Sequence, residues 1–208
     1  MILKDKNILL AVTGSIAIYK SLELIRLFIK AGANVKVILS DGAKKFINPI
    51  TFEAISQNRV LDESSENWDK SQNYNHIDIT KWADILLIAP ATANTINKIS
   101  CGIADNLLLQ TVLACKKKII IAPAANTNMI ENPITIQSVN NLKNLGFEVL
   151  QTQTKELACK DVGNGAMLEP IDIFHKTGKE LLKASYWEKR RAVLSGGGTL
   201  EKIDDVGY

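Results

Sequence analysis

Five short apolar runs punctuate this chain, separated by longer stretches in which apolar residues return every three or four positions. Residues 7–13 (NILLAVT), 35–39, 83–89 (ADILLIA), 118–122 (KIIIA) and 147–150 are too short and too continuous for amphipathic helices, and they read as buried strands. Between the first two, Ile18, Leu22, Ile25 and Ile29 fall at spacings of four, three and four, a single helical stripe. Gly32 is suited to the left-handed position that ends such a helix. Residues 104–115 form a strongly apolar helical pattern. Residues 133–145 place Ile136, Val139, Leu142 and Leu145 on one side, with Pro133 in the first turn, and residues 172–185 make a last helix. Strands alternating with helices predict an α/β domain: a doubly wound parallel sheet covered on both faces.

Ligands of doubly wound sheets, whether Rossmann-like or flavodoxin-like, bind outside the carboxyl ends of the strands. The unusual stretches of this sequence fall there: Thr13-Gly14-Ser15, Ser40-Asp41-Gly42, residues 89–95 (APATANT) and Pro123-Ala124-Ala125-Asn126. Loops in any α/β protein are small and polar, but four such ends around one crevice describe a cofactor site. The first loop has one glycine where a dinucleotide fingerprint wants three, and Ser40 stands where an NAD enzyme carries an acid for the ribose. Hydroxyls and helix N–H groups at Ser15 and Ser40 suit a single phosphate. A cofactor with one phosphate and a large ring is FMN. The candidate cofactor-binding residues are Gly14, Ser15, Ile16, Ser40, Pro90, Thr92, Ala93, Asn94, Thr95 and Asp105. Pro90 is expected to stop its strand, and helix capping alone would account for Thr92 and Asp105.

Composition narrows the setting. The chain has 208 residues, 46% hydrophobic and 23% charged, with a formal net charge of +3. Those are ordinary values for a globular protein. The short basic runs Lys116-Lys117-Lys118 and Lys189-Arg190-Arg191 flank strands and read as solvated turns, so no nucleic-acid partner is expected. The apolar run near the N-terminus is too short for a signal peptide or a membrane span. Cys101, Cys115 and Cys159 form no C-x-x-C pair, so neither a zinc site nor a disulfide framework is expected, and a cytoplasmic location fits. Cys101 and Cys115 read as buried and inert, His175 as surface.

The motifs TGSIAIYK, HIDITKWAD, APATANT…GIADNLL, AAN…M and LACKDVGNGAM occur in that order. Together they resemble the flavin-containing cysteine decarboxylase family over residues 5–185. The resemblance is strongest to members that decarboxylate phosphopantothenoylcysteine to 4'-phosphopantetheine in coenzyme A biosynthesis. It implies FMN as cofactor, oxidation of the substrate thiol to a thioaldehyde, loss of CO2 and re-reduction. It also implies a homotrimer or a larger assembly of trimers. His76, Asn126 and Cys159 match the catalytic positions. The resemblance assigns His76 to positioning the carboxylate or acting as base, Asn126 to the carboxylate, and Cys159, on a flap that Gly163 and Gly165 are expected to make flexible, to proton donation. Asn126 with Ala125 and Met129 would contact substrate. An Asx turn is the structural alternative for Asn126.

Four positions depart from the family pattern. Ala125 replaces a methionine, Ile130 an aromatic, Lys160 a glycine and Ala166 an arginine. Other members of the fold bind FMN without catalysis or act as prenyltransferases. Retention of His76, Asn126 and Cys159 favours the decarboxylase. The decarboxylase domain is expected over residues 1–186. The stretch SGGGTLEKIDD near the C-terminus resembles the first strand and glycine loop of a phosphopantothenate–cysteine ligase, so residues 187–208 are expected to be a linker and a partial ligase start, without ligase activity.

Overall fold

In the computed structural model, which describes residues 1–65, 75–156 and 162–183, five strands build one parallel sheet. They are β1 (Asn7–Val12), β2 (Asn34–Leu39), β3 (Ile85–Ala91), β4 (Lys118–Pro123) and β5 (Glu148–Val149), in the order β2-β1-β3-β4-β5. Each expected strand is present. The chain crosses from β1 to β2 on one side and returns past β1 to β3 on the other. The switch point therefore falls between β1 and β3, where doubly wound sheets open a crevice.

The connecting helices divide between the two faces. Helices α1 (Tyr19–Lys30), α3 (Pro49–Ser56) and α9 (Pro170–Leu181) cover one face through Leu24, Ile25, Phe28, Phe52 and Ile173. Helices α4 (His76–Trp82), α5 (Ala93–Ser100), α6 (Leu107–Ala114) and α8 (Pro133–Asn144) cover the other through Ile79, Ile96, Leu108, Val112 and Leu142. The strands alternate between these cores as a period of two requires. Ile8, Leu10 and Val12 enter the first, and Leu9 and Ala11 the second. Two single-turn helices, α2 (Asp41–Lys44) and α7 (Thr127–Ile130), sit just beyond strand ends.

The alternation slips once. Ala89 belongs to the first core and Ala91, two residues on, to the second. The register with β4 shifts between Ile88 and Ala91, and the Ala89–Pro90 peptide is cis. Pro90 does not stop the strand, as the sequence suggested. It lies inside β3 at an irregularity, where a residue without an N–H costs no ladder bond. Two other expectations shift for capping reasons. The apolar helix begins at Leu107 because the Asn106 side chain accepts from the Leu109 N–H at 2.9 Å. Asp105, read as a possible cap, pairs with Lys98 instead. The last helix begins at Pro170, which occupies its first turn.

A two-stranded antiparallel hairpin, β6 (Gln153–Glu156) and β7 (Val162–Ala166), stands apart from the main sheet. Lys20, nearly buried in the first turn of α1, secures its far end. Its ammonium donates to Met167 O at 3.0 Å and pairs with Glu169 at 3.1 Å. Cys101 is exposed at the end of α5, not buried as expected, and Cys115 is half-buried. Burial pushes the Cys115 thiol pKa up. His175 is exposed, with its ring against Phe174.

The loops after β1 and β2 touch backbone to backbone. A Cβ on Gly14 would lie 2.7 Å from the carbonyl carbon of Gly42. Gly14→Ala must therefore push the two loops apart, and it is expected to lower stability by about 1–3 kcal/mol, read as a shift in urea midpoint at unchanged slope.

Candidate active site

The floor of the crevice is a knot of hydrogen bonds across the β1/β3 switch point. Thr13 is buried at the end of β1. Its hydroxyl donates to Pro90 O at 2.7 Å and accepts from the Thr92 N–H at 3.0 Å, while its own N–H donates to Pro90 O at 3.2 Å. From beneath, the Ser21 hydroxyl of α1 donates to Ala89 O at 2.8 Å. On the β4 side the Ala124 N–H donates to Ala91 O at 2.9 Å. Thr13 stood in a quoted loop but received no role from sequence. Its signal was a hydroxyl closing an apolar strand immediately before a glycine.

Hydroxyl residues start the helices around this floor. Ser15 caps the 3-10 turn Ile16–Ile18, accepting from the Ala17 N–H at 3.3 Å. Ser40 caps α2 through the Ala43 N–H at 3.2 Å. Thr92 caps α5 through the Thr95 N–H at 3.3 Å, with the two hydroxyls 3.0 Å apart. The Ser15 and Ser40 hydroxyls each have an acceptor side engaged by a helix N–H and keep a proton to donate, while the bond between Thr92 and Thr95 takes one of their two protons. Gly14, Ala91 and Ala93 are the small residues among them, with both alanines buried, and Asn94 is exposed. Asp105 lies after α5, ion-paired to Lys98 rather than in this ring of hydroxyls.

Asn126 follows β4 and caps α7. Its Oδ1 accepts from the Asn128 N–H at 2.9 Å, which is the Asx geometry anticipated as the structural alternative. That bond turns the carbonyl side of the amide toward α7 and makes the NH2 the donor end. Asn126 is exposed, Met129 half-exposed and Ala125 half-buried. His76 is the first residue of α4, capped by Asn75, and is half-buried. The other end of α4 is fixed at the amino edge of the sheet, where Asn7 Nδ2 donates to Trp82 O at 3.1 Å. A seven-residue helix rises about 10 Å, so α4 carries His76 away from the amino edge toward the carboxyl side of the sheet. Cys159, with Lys160, lies outside the described residues.

Gly163 and Gly165, read as giving a flexible flap, are buried in β7. Neither has a positive φ. They are small because the strand lies directly on the Asn126 loop.

Beside Ser40, Lys44 bridges Asp41 at 2.7 Å and Asp62 at 3.0 Å, tying α2 to the turn at residues 62–65. Burial pushes the Asp62 carboxyl up, but hydrogen bonds from Ser64 and Lys44 outweigh it and hold the pKa below the ordinary carboxylate value. The Asp41 and Asp62 bonds raise Lys44. Among the described residues no acid, thiol or imidazole cluster could hold a metal, and no helix is long and apolar enough to cross a membrane.

Fold and crevice define a doubly wound α/β domain with a switch-point site of hydroxyls, helix N–H groups and small side chains. Residues 2–182 match the family model described as Flavoprotein, and the chain belongs to that family. It is 37% identical, over 99% of its length, to the coenzyme A biosynthesis bifunctional protein CoaBC of Bacillus subtilis, of which it spans about half (51%). It is 41% identical over 85% of its length to a probable phosphopantothenoylcysteine decarboxylase of Streptococcus mutans, of which the match covers 99%. Among solved structures, a PPC decarboxylase with a cysteine-to-serine change, complexed with pantothenoylaminoethenethiol, superposes with TM-score 0.75 at 31% identity. That match covers 89% of this chain and 100% of that one. The FMN binding protein AtHal3 superposes with TM-score 0.73 at 32% identity, covering 91% and 100%.

The Asp62 pairing generates a pH prediction. A carboxylate whose folded pKa is depressed contributes stability that is complete above its unfolded value and is lost as pH falls through the folded one. Asp62→Asn should therefore lower the urea midpoint near neutrality, and the gap to the parent protein should close below about pH 4.

Proposed function

We propose that this chain catalyses FMN-dependent decarboxylation of phosphopantothenoylcysteine to 4'-phosphopantetheine, a carboxy-lyase step of coenzyme A biosynthesis. The observation that carries this reading is the set of hydroxyl caps around the Thr13–Pro90–Thr92 floor, with Asn126 at the end of the neighbouring strand β4. A relative matched over nearly its whole length carries the decarboxylase name.

The donor set fits FMN. Ser15, Ser40 and the Thr92–Thr95 pair, which has one proton left to give, offer hydroxyl donors and neighbouring helix N–H groups for one phosphate, and Ile16 and Asn94 flank them. Gly14, Pro90, Ala91 and Ala93 leave backbone close to where a flat ring would lie. When bound, FMN supplies the two-electron exchange with the substrate carbon that bears sulfur, without which the carboxylate has no electron sink.

The chain's own residues then have separable tasks. His76 takes the thiol proton or orients the carboxylate. Asn126 donates its amide N–H to that carboxylate. Being neutral, it holds the group without the tight ion pair that would oppose loss of CO2. Departure of CO2 leaves the bonding pair delocalised as an enethiolate, and Cys159 gives it the proton that replaces CO2 on carbon. The two electrons taken from the substrate at the start return at the end, so the sum is loss of CO2 and uptake of one proton. Ala125 and Met129 line the approach. The reading extends to a soluble cytoplasmic enzyme assembled as a homotrimer or from trimers.

The purified protein is expected to be yellow, and mass spectrometry should detect the loss of CO2 from phosphopantothenoylcysteine. A colourless protein that takes up no FMN, or a flavoprotein that leaves the substrate intact, would sink the proposal. His76→Asn is expected to reduce turnover by about a hundredfold or more while the flavin spectrum persists. Turnover at the parental rate would remove its catalytic role.

A further inference from the structure

The residues on either side of Asn126 are both held by β7. The Ala125 N–H donates to Gly165 O at 3.1 Å. A Cβ on Gly165 would lie 2.0 Å from Ala125 O. A Cβ on Gly163 would lie 1.9 Å from the Thr127 hydroxyl oxygen and 3.1 Å from its Cβ. That hydroxyl is buried with no hydrogen-bond partner among the described residues. Thr127 therefore meets Gly163 through shape alone. The glycines alternate with half-buried Asn164, so both place their bare face toward the loop. The hairpin is secured independently, on its opposite face by the bond between the Thr152 hydroxyl and Asn164 Oδ1 and at its far end by Lys20 at Met167 O.

We infer that Gly163 and Gly165 are positioning residues for the reaction: the bare edge of β7 sets the height and orientation at which Asn126 presents its amide to the substrate carboxylate. This rests on the decarboxylase reading and names what fixes its key donor. Neither glycine touches substrate. Both act through Asn126, whose backbone neighbours cannot move toward the hairpin and, at Ala125, are bonded to it. Reactions whose rate depends on donor placement lose about a hundredfold for displacements near 1 Å. An alanine at position 163 would force a displacement of that order.

Size complementation tests this. Gly163→Ala, Thr127→Ala and the double variant are prepared as FMN-loaded full chains and assayed with phosphopantothenoylcysteine, with thermal melting and the flavin spectrum recorded alongside. Gly163→Ala is expected to cut kcat about tenfold or more, with a smaller change in KM and the flavin retained. Adding Thr127→Ala removes the clashing hydroxyl and should restore kcat to within about threefold of Thr127→Ala alone. A purely structural role would lower the melting temperature and leave kcat per flavin unchanged, and that result overturns the inference. So does a double variant no better than Gly163→Ala. If Gly163→Ala alone does not fold, the contrast is read in the Thr127→Ala background, where alanine at 163 should be tolerated and valine should not. Failure of both, or equal tolerance of both, also overturns it. An inert parent protein would instead defeat the decarboxylase reading. An active parent with equally active variants defeats only the positioning role.

Discussion

One hydroxyl joins the two strands between which everything else at the carboxyl edge is organised. The sheet order places the switch point between β1 and β3. Thr13 ties the two strands together there by donating to Pro90 O and accepting from the Thr92 N–H. A buried hydrogen bond contributes only about 1 kcal/mol net, but a partner left unsatisfied costs more. Thr13 satisfies two such partners at once, one inside β3 and one just past its end. The Ser15 turn, the Thr92 cap and the start of α5 take their positions from this knot. A valine there would fill the same volume and leave Pro90 O and the Thr92 N–H without their side-chain partner.

Around that base the site is assembled from three directions with different mechanical character. The ring of capped helix starts is local: each serine or threonine satisfies an N–H of its own turn. His76 is held by leverage, at the free end of a helix anchored at the amino edge of the sheet. Asn126 is set by contact, with β7 lying on its neighbours. The charged groups nearby are structural. Lys20 and Lys44 are each engaged by carboxylates, so the described crevice relies on neutral donors rather than surplus positive charge.

Much of this was legible in the residues. Buried parallel strands have an unmistakable signature, and all five appeared where the apolar runs lay, with ends moved by a residue or two. The errors have specific causes. Pro90 was expected to end a strand because proline breaks ladders, yet the ladder was already broken by the register shift at that point. Capping was the alternative reading for Asp105, since acids favour helix starts, but Asn106, one residue later, had the geometry. Cys101 looked buried from apolar neighbours in sequence, although it sits at a helix end facing solvent. The glycines of β7 were read as conferring flexibility. Sequence shows that a side chain is missing, and only tertiary contact shows whether its place is empty or occupied. Candidate site residues were found through loop composition and resemblance. Thr13 and Thr127 were passed over because their importance comes from what lies across from them.

The slip of alternation at Pro90 has a further effect. Ala89 packs with the helices of one layer and Ala91 with those of the other, and the peptide between them is the crevice floor. Neither layer can settle without fixing this segment, so its shape is determined when the domain folds. A flat ligand arriving there meets a preorganised surface, and the entropy of ordering that surface is not charged against its affinity.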